Sequence, residues 1–582
     1  MSGLFATLNT SKGGMFAQQQ YINVTSHNIS NANTEGFSRQ HIVLQTARPQ
    51  TIAGGAGQIG TGVTVSSIER TRNQFLDYQI RKESSLLGNY GVRQDYLSEI
   101  EGIFNEPSDT GISELMSEFF DAWQTLSKNP EKSDARTVVA QKAKALAEEL
   151  NHTYKKLNDT KDNAAKEIQT NLFEVNTILD QLNSINKEII TVTIAGNNPN
   201  DLLDSRDMLL DELSTKFGID TRNQILNGIT CKTEDNLDIS LIRNKDSEGI
   251  NKFAYVNKIT PKTDADGNTV YDIEYYKNGD MTSDKNKVTL TGVTLDKDQF
   301  EALNNGRVLV TDEDGNVVDS SGNALIPDAD GKVDFSKETL NSNQIFNPSS
   351  GRIGGLQSIH EDAESYIEQA NTLAKTLAFA VNAIHTEGIP EGEQYSFFVN
   401  SGNDPLDYDG ITAGNIAMNS DILDNVMLIQ AGASKGSGST DGDRALALAS
   451  LRDFGLNIDG IQSGKKKDGS VYDYKAFVEE HLGITAEGDV PKFNTIDGGV
   501  KVEGFFKNTI NKLGVQSEEA TRIVKNQNTL LKGLVERRLS TSGVSLDEEA
   551  INLVQFQHAF QANAKVISTV DQLLDVVIGL VR

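Results

Sequence analysis

The chain has 582 residues, a formal net charge of −28 and a 37% hydrophobic fraction. That length predicts several domains with ordinary apolar cores, and the acidic balance, relieved only by Lys465, Lys466 and Lys467, excludes a nucleic-acid partner by charge repulsion. A single cysteine, Cys231, excludes an intrachain disulfide and a cysteine-based zinc site; no apolar run is long enough for membrane insertion, and the N-terminus lacks the basic, apolar pattern of a cleaved leader.

Residues 4–29 predict a helix, with Leu8, Met15, Ile22 and Ile29 at seven-residue intervals and Leu4, Ser11, Gln18 and Thr25 between them. Gly13 and Gly14 interrupt this thin seam, each costing about 1 kcal/mol against alanine, so the helix needs a partner. The polar stretch 27–40 then turns the chain, with Gly36 free to take a positive φ. Short strands are predicted at 41–45 and 62–68, around a glycine-rich loop at 54–62.

From 70 to 217 the pattern is helical, over 75–104, 112–127, 133–192 and 201–217. In the longest helix Ile168, Leu172, Val175, Leu179, Leu182 and Ile189 alternate four- and three-residue steps, with polar Asn186 at the skipped position; this predicts an antiparallel helical bundle with coiled-coil packing. Near Gly218 the segments become short and alternating, at 238–243, 253–259, 269–276, 287–295 and 307–311, separated by Asp-Gly and Asn-Gly turns. Helical periodicity returns over 353–385. A mixed region to 504 holds a Gly/Ser loop at 432–442 and a Lys/Gly segment at 464–470, and helix resumes over 502–539.

The last stretch, 546–582, repeats the period of the first helix. Leu546, Leu553, Phe560, Ile567, Leu574 and Val581 recur every seven residues, with Phe556, Asn563, Val570 and Val577 between them. Ser545 and Glu548 predict a capping box at its start. Between 550 and 570 only Lys565 and, when protonated, His558 carry charge, so the helix calls for partners on more than one side. Asn563 either fixes the register between helices or faces water or a cap.

The fold class predicted is mainly α with β inserts, in a discontinuous multidomain chain. Residues 1–69 and 541–582 form a terminal domain whose helices pair as a coiled coil; 70–217, 350–385 and 505–540 form a helical-bundle rod domain; 218–349 is an inserted antiparallel β domain; and 386–504 is a second, mixed insertion. Both ends of a free chain are expected to stay disordered until neighbouring subunits supply the missing faces.

The stretch Asn28-Ile29-Ser30-Asn31-Ala32-Asn33-Thr34-Glu35-Gly36-Phe37 resembles the N-terminal signature of bacterial flagellar rod, hook and hook-associated proteins, with Glu35 where many members have proline. Ser38, Arg39 and Gln40 follow directly, and together with 60–65, 200–207, 537–540 and 543–549 they resemble the hook-associated branch; 561–569 is common to the wider family. The resemblance covers roughly the first 220 residues, 351–385 and the last 80 or so, and leaves both inserts unmatched. It implies a structural subunit, not an enzyme, without a cofactor, exported unfolded through the flagellar type III apparatus from the cytoplasm to the extracellular flagellum and assembled at the distal end of the hook. The partners it implies are further copies of itself, the hook subunit, hook-associated protein 3 and an export chaperone holding the C-terminal helix. A hook or distal rod subunit is the rival within the family, opposed by the long bundle and by Ser38-Arg39-Gln40. An enzyme or receptor-binding module in the inserts is the rival of another class, which a pocket of convergent polar groups would favour.

Other patterns reduce to ordinary structure. Gly55, Gly57 and Gly60 satisfy GxGxxG, but a strand-like segment follows where a dinucleotide site needs a helix. The acidic runs 264–267, 312–315 and 328–331 have Tyr275, Asn323 and Thr339 where a calcium loop needs its glutamate, and predict hairpin turns. The seven histidines are scattered without an HExxH pattern, and Trp123, beside Phe119, Phe120 and Leu126, is placed in the bundle core.

Overall fold

The structure, a computed structural model, describes residues 2–51, 58–235, 239–319, 322–336, 338, 340–386, 394–401, 410–434, 436–458, 478, 484–485, 492–493, 496 and 498–580. Residues 55–57 of the GxGxxG run, the 464–470 segment and Val581 lie outside them. Helix α1 (Ser2–Ser30) leads into strand β1 (Gln40–Thr46), the short pair β2 (Gln50–Thr51) and β3 (Gln58–Ile59), and β4 (Val63–Arg70). β1 and β4 are antiparallel from Gln40↔Arg70 to Thr46↔Val63, with a bulge between Val43 and Leu44. Four helices follow: α2 (Gln74–Phe104), α3 (Ile112–Lys128), α4 (Ser133–Ile194) and α5 (Asn200–Lys216).

A hairpin of β5 (Ile219–Asn223) and β6 (Ile229–Thr233) precedes a five-stranded sheet with order β10-β7-β8-β9-β11, built from β7 (Lys252–Thr263), β8 (Thr269–Tyr276), β9 (Lys287–Val293), β10 (Val308–Thr311) and β11 (Lys332–Asp334). Helix α6 (Lys297–Gly306), opened by a capping box of Asp296 and Gln299, buries Leu303 in the core of this sheet. The insert is antiparallel except at one edge, where β11 runs parallel to β9. The acidic turns satisfy their own backbones: Oδ1 of Asp264, Asp312 and Asp328 each accepts two backbone N–H groups from the following residues, and Gly267, Gly315 and Gly331 take positive φ.

The remaining elements are α7 (Gly351–Thr386), β12 (Phe398–Asn400), β13 (Ile416–Met418), α8 (Ser420–Asp424), α9 (Asp443–Ser450), β14 (Ile484–Thr485), β15 (Lys492–Phe493), α10 (Val502–Ser542) and α11 (Leu546–Leu580). The chain divides into two units, one of Met1–Asn89, Gln169–Gly354 and Val524–Arg582, the other of Tyr90–Ile168 and Gly355–Ile523. In the second unit α3 packs on α9, and fully buried Trp123 lies 5.2 Å from the ring of Phe397 within a cluster that includes Phe119 and Phe398. His385 is fully buried there; burial pushes its pKa down to about 3, and the neutral ring donates from Nδ1 to Tyr395 O while Nε2 accepts from Gln430 N, both at 2.9 Å.

In the first unit the apolar seam of α4 is buried as its spacing predicts, and segments of the β insert dock along the same helix. Asparagines between the seam positions explain how. Asn176 Nδ2 donates to Phe253 O at 2.8 Å while its Oδ1 accepts from Phe253 N at 3.0 Å. Asn183 does the same for the 239–244 segment, donating to Leu241 O at 3.0 Å and accepting from Arg243 N at 2.9 Å, and Asn186 donates to Arg243 O. Each side chain offers one donor and one acceptor in the geometry of a neighbouring strand. The predicted strand at 238–243 is therefore absent over the described residues 239–243. Ile239, Leu241 and Ile242 are buried as in a strand, but helix amides take the ladder's place.

Asn176→Leu keeps the volume and leaves a buried peptide N–H and C=O without partners. It is expected to cost roughly 2–4 kcal/mol in urea unfolding of the purified protein.

Candidate assembly site at the base of the terminal helix pair

Helices α1 and α11 lie against each other along most of their length. Leu553, Phe556, Phe560, Asn563, Ile567, Leu574 and Val577 are half-buried and Val570 is buried, while Leu8, Met15, Ile22 and Ile29 are half-buried on the opposite helix. Phe556 stacks on Tyr21 with ring centroids 4.4 Å apart. The two glycines that break the α1 seam are points of close approach. A Cβ on Gly14 would lie 3.0 Å from Asn563 Oδ1, and one on Gly13 would lie 3.1 Å from the Val63 carbonyl of the β1–β4 hairpin. Asn563 bonds within its own helix, donating to Ala559 O at 3.0 Å, so it seats on α1 by shape. Away from the seam, Ile551, Val554, Val576 and Ile578 are exposed.

The signature after α1 folds into a clamp beneath this pair. Asn28, 1% exposed, donates from Nδ2 to Gln40 O at 2.9 Å and accepts from Gln40 N at 3.0 Å, the amide-to-peptide pairing also seen on α4. The same Nδ2 approaches Glu549 Oε2 at 3.3 Å, and Arg39 Nε donates to Glu549 Oε1 at 2.7 Å, so a carboxylate buried at the start of α11 is held by two signature residues. The Arg39 backbone joins Ser542 O at 2.8 Å and accepts from Thr71 N at 2.8 Å. The predicted capping box is half formed: Glu548 N donates to Ser545 Oγ at 3.4 Å, but the Glu548 carboxylate turns to Arg39, 3.6 Å away. Opposite charge outcompetes a neutral backbone donor for the carboxylate.

Asn31 closes the turn, donating to His27 O at 3.0 Å and accepting from Thr34 Oγ1 at 3.2 Å. Gly36 has φ +76, and a Cβ there would overlap Met208. Asn33 is exposed and is not drawn into the clamp. Gln40 Nε2 reaches Asp201 at 2.7 Å, and Ser38 donates from both N (2.8 Å) and Oγ (2.7 Å) to the carboxylate of Asp204.

Asp204 opens an alternating network of acids and guanidiniums. Arg70 lies 2.7 Å from Asp204 and 2.6 Å from Asp207; Arg72 is 2.8 Å from Asp77; Arg81 is 3.0 Å from Asp207 and 2.7 Å from Asp211; Arg538 on α10 is 2.5 Å from Asp211. Burial by itself would raise the Asp207 carboxyl, but Arg70, Arg81 and Arg72 outweigh it and bring its pKa down to about 2. The signature, β4, α2, α5 and α10 are thus joined through buried charge. This network is not singled out in the sequence reading. Its signal is the spacing of Asp204, Asp207 and Asp211, which places three carboxylates on one face of α5, and the Arg70-x-Arg72 pair at the end of β4.

Comparisons with known proteins agree with this geometry. Residues 8–37 match the family described as flagella basal body rod protein, and 535–580 match the C-terminal family of the flagellar basal body rod FlgEFG proteins. These are the two segments that meet at the clamp, and they define the chain as a flagellar axial protein. Residues 97–295 match the helical domain of flagellar hook-associated protein FlgK. Flagellar hook-associated protein 1 of Bacillus subtilis is 30% identical over 594 residues, covering 100% of this chain and 99% of the relative, and that of Salmonella typhimurium is 23% identical over 621 residues, covering 98% and 99%. The chain belongs to the flagellar hook-associated protein 1 family. A solved structure of the flagellar hook junction protein FlgK from Burkholderia pseudomallei matches 80% of this chain and 100% of its own length, with a TM-score of 0.47 and 11% identity. Among the described residues no helix is long and apolar enough to cross a membrane.

Asp207→Asn removes the carboxylate that Arg70, Arg72 and Arg81 share and leaves each with one acid, Asp204, Asp77 and Asp211 in turn; it is expected to destabilise the protein by about 3 kcal/mol in chemical denaturation. Because the folded pKa of Asp207 lies below its unfolded value, its contribution is complete above pH about 4 and disappears as the pH falls toward about 2, amounting to roughly 2 kcal/mol. Acid titration followed by circular dichroism should show that loss in the native protein and a flatter profile in Asp207→Asn.

Proposed function

We propose that this protein is a non-enzymatic junction subunit placed between hook and filament, exported unfolded through the flagellar type III apparatus and polymerised at the distal end of the hook. The observation that carries the reading is the terminal helix pair. It is clamped at its base by the family signature, yet it leaves Ile551, Val554, Val576 and Ile578 in solvent. A helix with exposed apolar residues at both of its ends has surface for neighbours to bury, and the family assembles with other flagellar axial components.

In this reading 1–69 with 541–582 is the axial domain, 70–217 with 350–385 and 505–540 the rod domain, and 218–349 and 386–504 are outward inserts. The neighbours are copies of the chain, the hook subunit below and hook-associated protein 3 above. Before export a cytoplasmic chaperone covers α11, which keeps its apolar residues from aggregating and leaves the ends of the free chain unfolded until assembly. After export the protein lies in the extracellular flagellum.

Deletion of the gene in a motile host is expected to leave hooks intact while unpolymerised flagellin escapes to the medium. Electron microscopy of the cells and immunoblotting of the medium read the two outcomes, and finished filaments on the deleted strain would overturn the assignment.

A further inference from the structure

The β5–β6 hairpin ends in a tip with two apolar side chains that the fold leaves exposed. Ile225 is 81% exposed and Leu226 41%, and Leu226 is held at φ 57, ψ 35, a left-handed conformation that apolar side chains rarely adopt. The tip is firmly anchored all the same. Arg206, one of whose NH groups also reaches Asn186 Oδ1 at 3.1 Å, donates to Asn227 O at 2.6 Å; Asn227 Nδ2 donates to Thr193 Oγ1 at 3.3 Å; Asn223 Nδ2 donates to Gln74 Oε1 at 3.0 Å. Two apolar side chains therefore stand in solvent on a fixed knob.

The same helices carry an open groove of about 700 Å³, with an apolar wall of Ile80, Ile185, Met208, Leu209, Leu531 and Val535. Helix geometry puts knob and groove on different sides. On α5, Arg206 points to the knob while Ser205 and Met208, about 100° and about 160° away around the helix, line the groove; on α4, Asn186 meets Arg206 while Ile185, about 100° away, lines the groove. Charge adds to shape: Arg222, largely exposed and 3.1 Å from Asp220 on the knob's own strand, has the exposed Glu35 and Glu212 as counterparts at the groove rim, where Arg72 and Arg538 are taken up by Asp77 and Asp211. A projection on one side and an open recess on another are the two halves a head-to-tail contact needs, and such a contact propagates into a ring or helix instead of closing as a pair.

We propose that Ile225 and Leu226 of one copy insert into the groove of the next copy, with Arg222 facing Glu35 and Glu212. The contact rests on the reading of the protein as an assembled junction subunit, because it needs copies side by side.

The test co-expresses two variants, Leu226→Cys and Ser84→Cys, the latter in the groove lining, in a host lacking its own gene; isolated flagella are then treated with a short bis-maleimide. Cys231 is buried and does not compete. A cross-linked band at twice the chain mass is expected when both variants are present and with neither alone. Flagella that contain both variants but yield no such band overturn the contact, as does a band from Leu226→Cys alone, which would mean a symmetric pair. Flagella that lack the native protein expressed in the same host overturn the junction reading, and the contact with it. Leu226→Asn separates assembly from folding, since asparagine suits the left-handed backbone: thermal stability is expected to match or exceed the native protein while recovery in flagella falls about tenfold, for loss of the apolar insertion. Unchanged recovery would overturn the proposal.

Discussion

The first unit depends on the carboxylate of Asp207 staying charged while buried. A lone buried carboxylate would protonate or force the structure open, and here three guanidiniums, from β4, from the link after it and from α2, surround it. The requirement is mutual, since Arg70, Arg72 and Arg81 are themselves largely buried and need acids at their distances. Arg538 extends the arrangement to α10 through Asp211, and Ser38 extends it to the signature through Asp204. Segments far apart in sequence are tied together at one place because none can bury its charge alone.

A second device recurs where charge is absent. Asn28, Asn176 and Asn183 stand on helices and each satisfies both the N–H and the C=O of an irregular or edge segment, in place of a strand. In the second unit Asn382 plays the same part, donating to Phe398 O at 2.8 Å and accepting from Phe397 N and Phe398 N. A chain that leaves and re-enters its domains cannot extend one sheet through all of them, and an amide side chain supplies an edge wherever a helix passes.

The terminal pair shows how a stable base can carry an unfinished end. Beneath it lie buried charge, the Asn28–Gln40 pairing and the β1–β4 hairpin against which Gly13 and Gly62 allow α1 to pack. Above it one helix face meets one helix face, and the outer apolar residues of α11 remain in water. Such an end seats Asn563 against Gly14, yet is short of buried area. That combination suits a subunit that takes its final form among neighbours.

The sequence alone determined the helices, the paired heptad seams and the shift to short strands near Gly218, because periodicity and turn residues act within a few positions. It also marked Asn28, Gly36, Ser38, Arg39 and Gln40 as a signature, without showing what they hold. Only the tertiary structure decided that Glu549 is their buried partner, that 239–243 docks on α4 instead of forming a strand, that β11 runs parallel to β9, and that Gly14 is a seat and not a flaw. The physical reason is common to all four: each depends on which groups meet across large separations in the chain. A carboxylate, an asparagine or a glycine reads the same in sequence whether it faces water or completes a buried network.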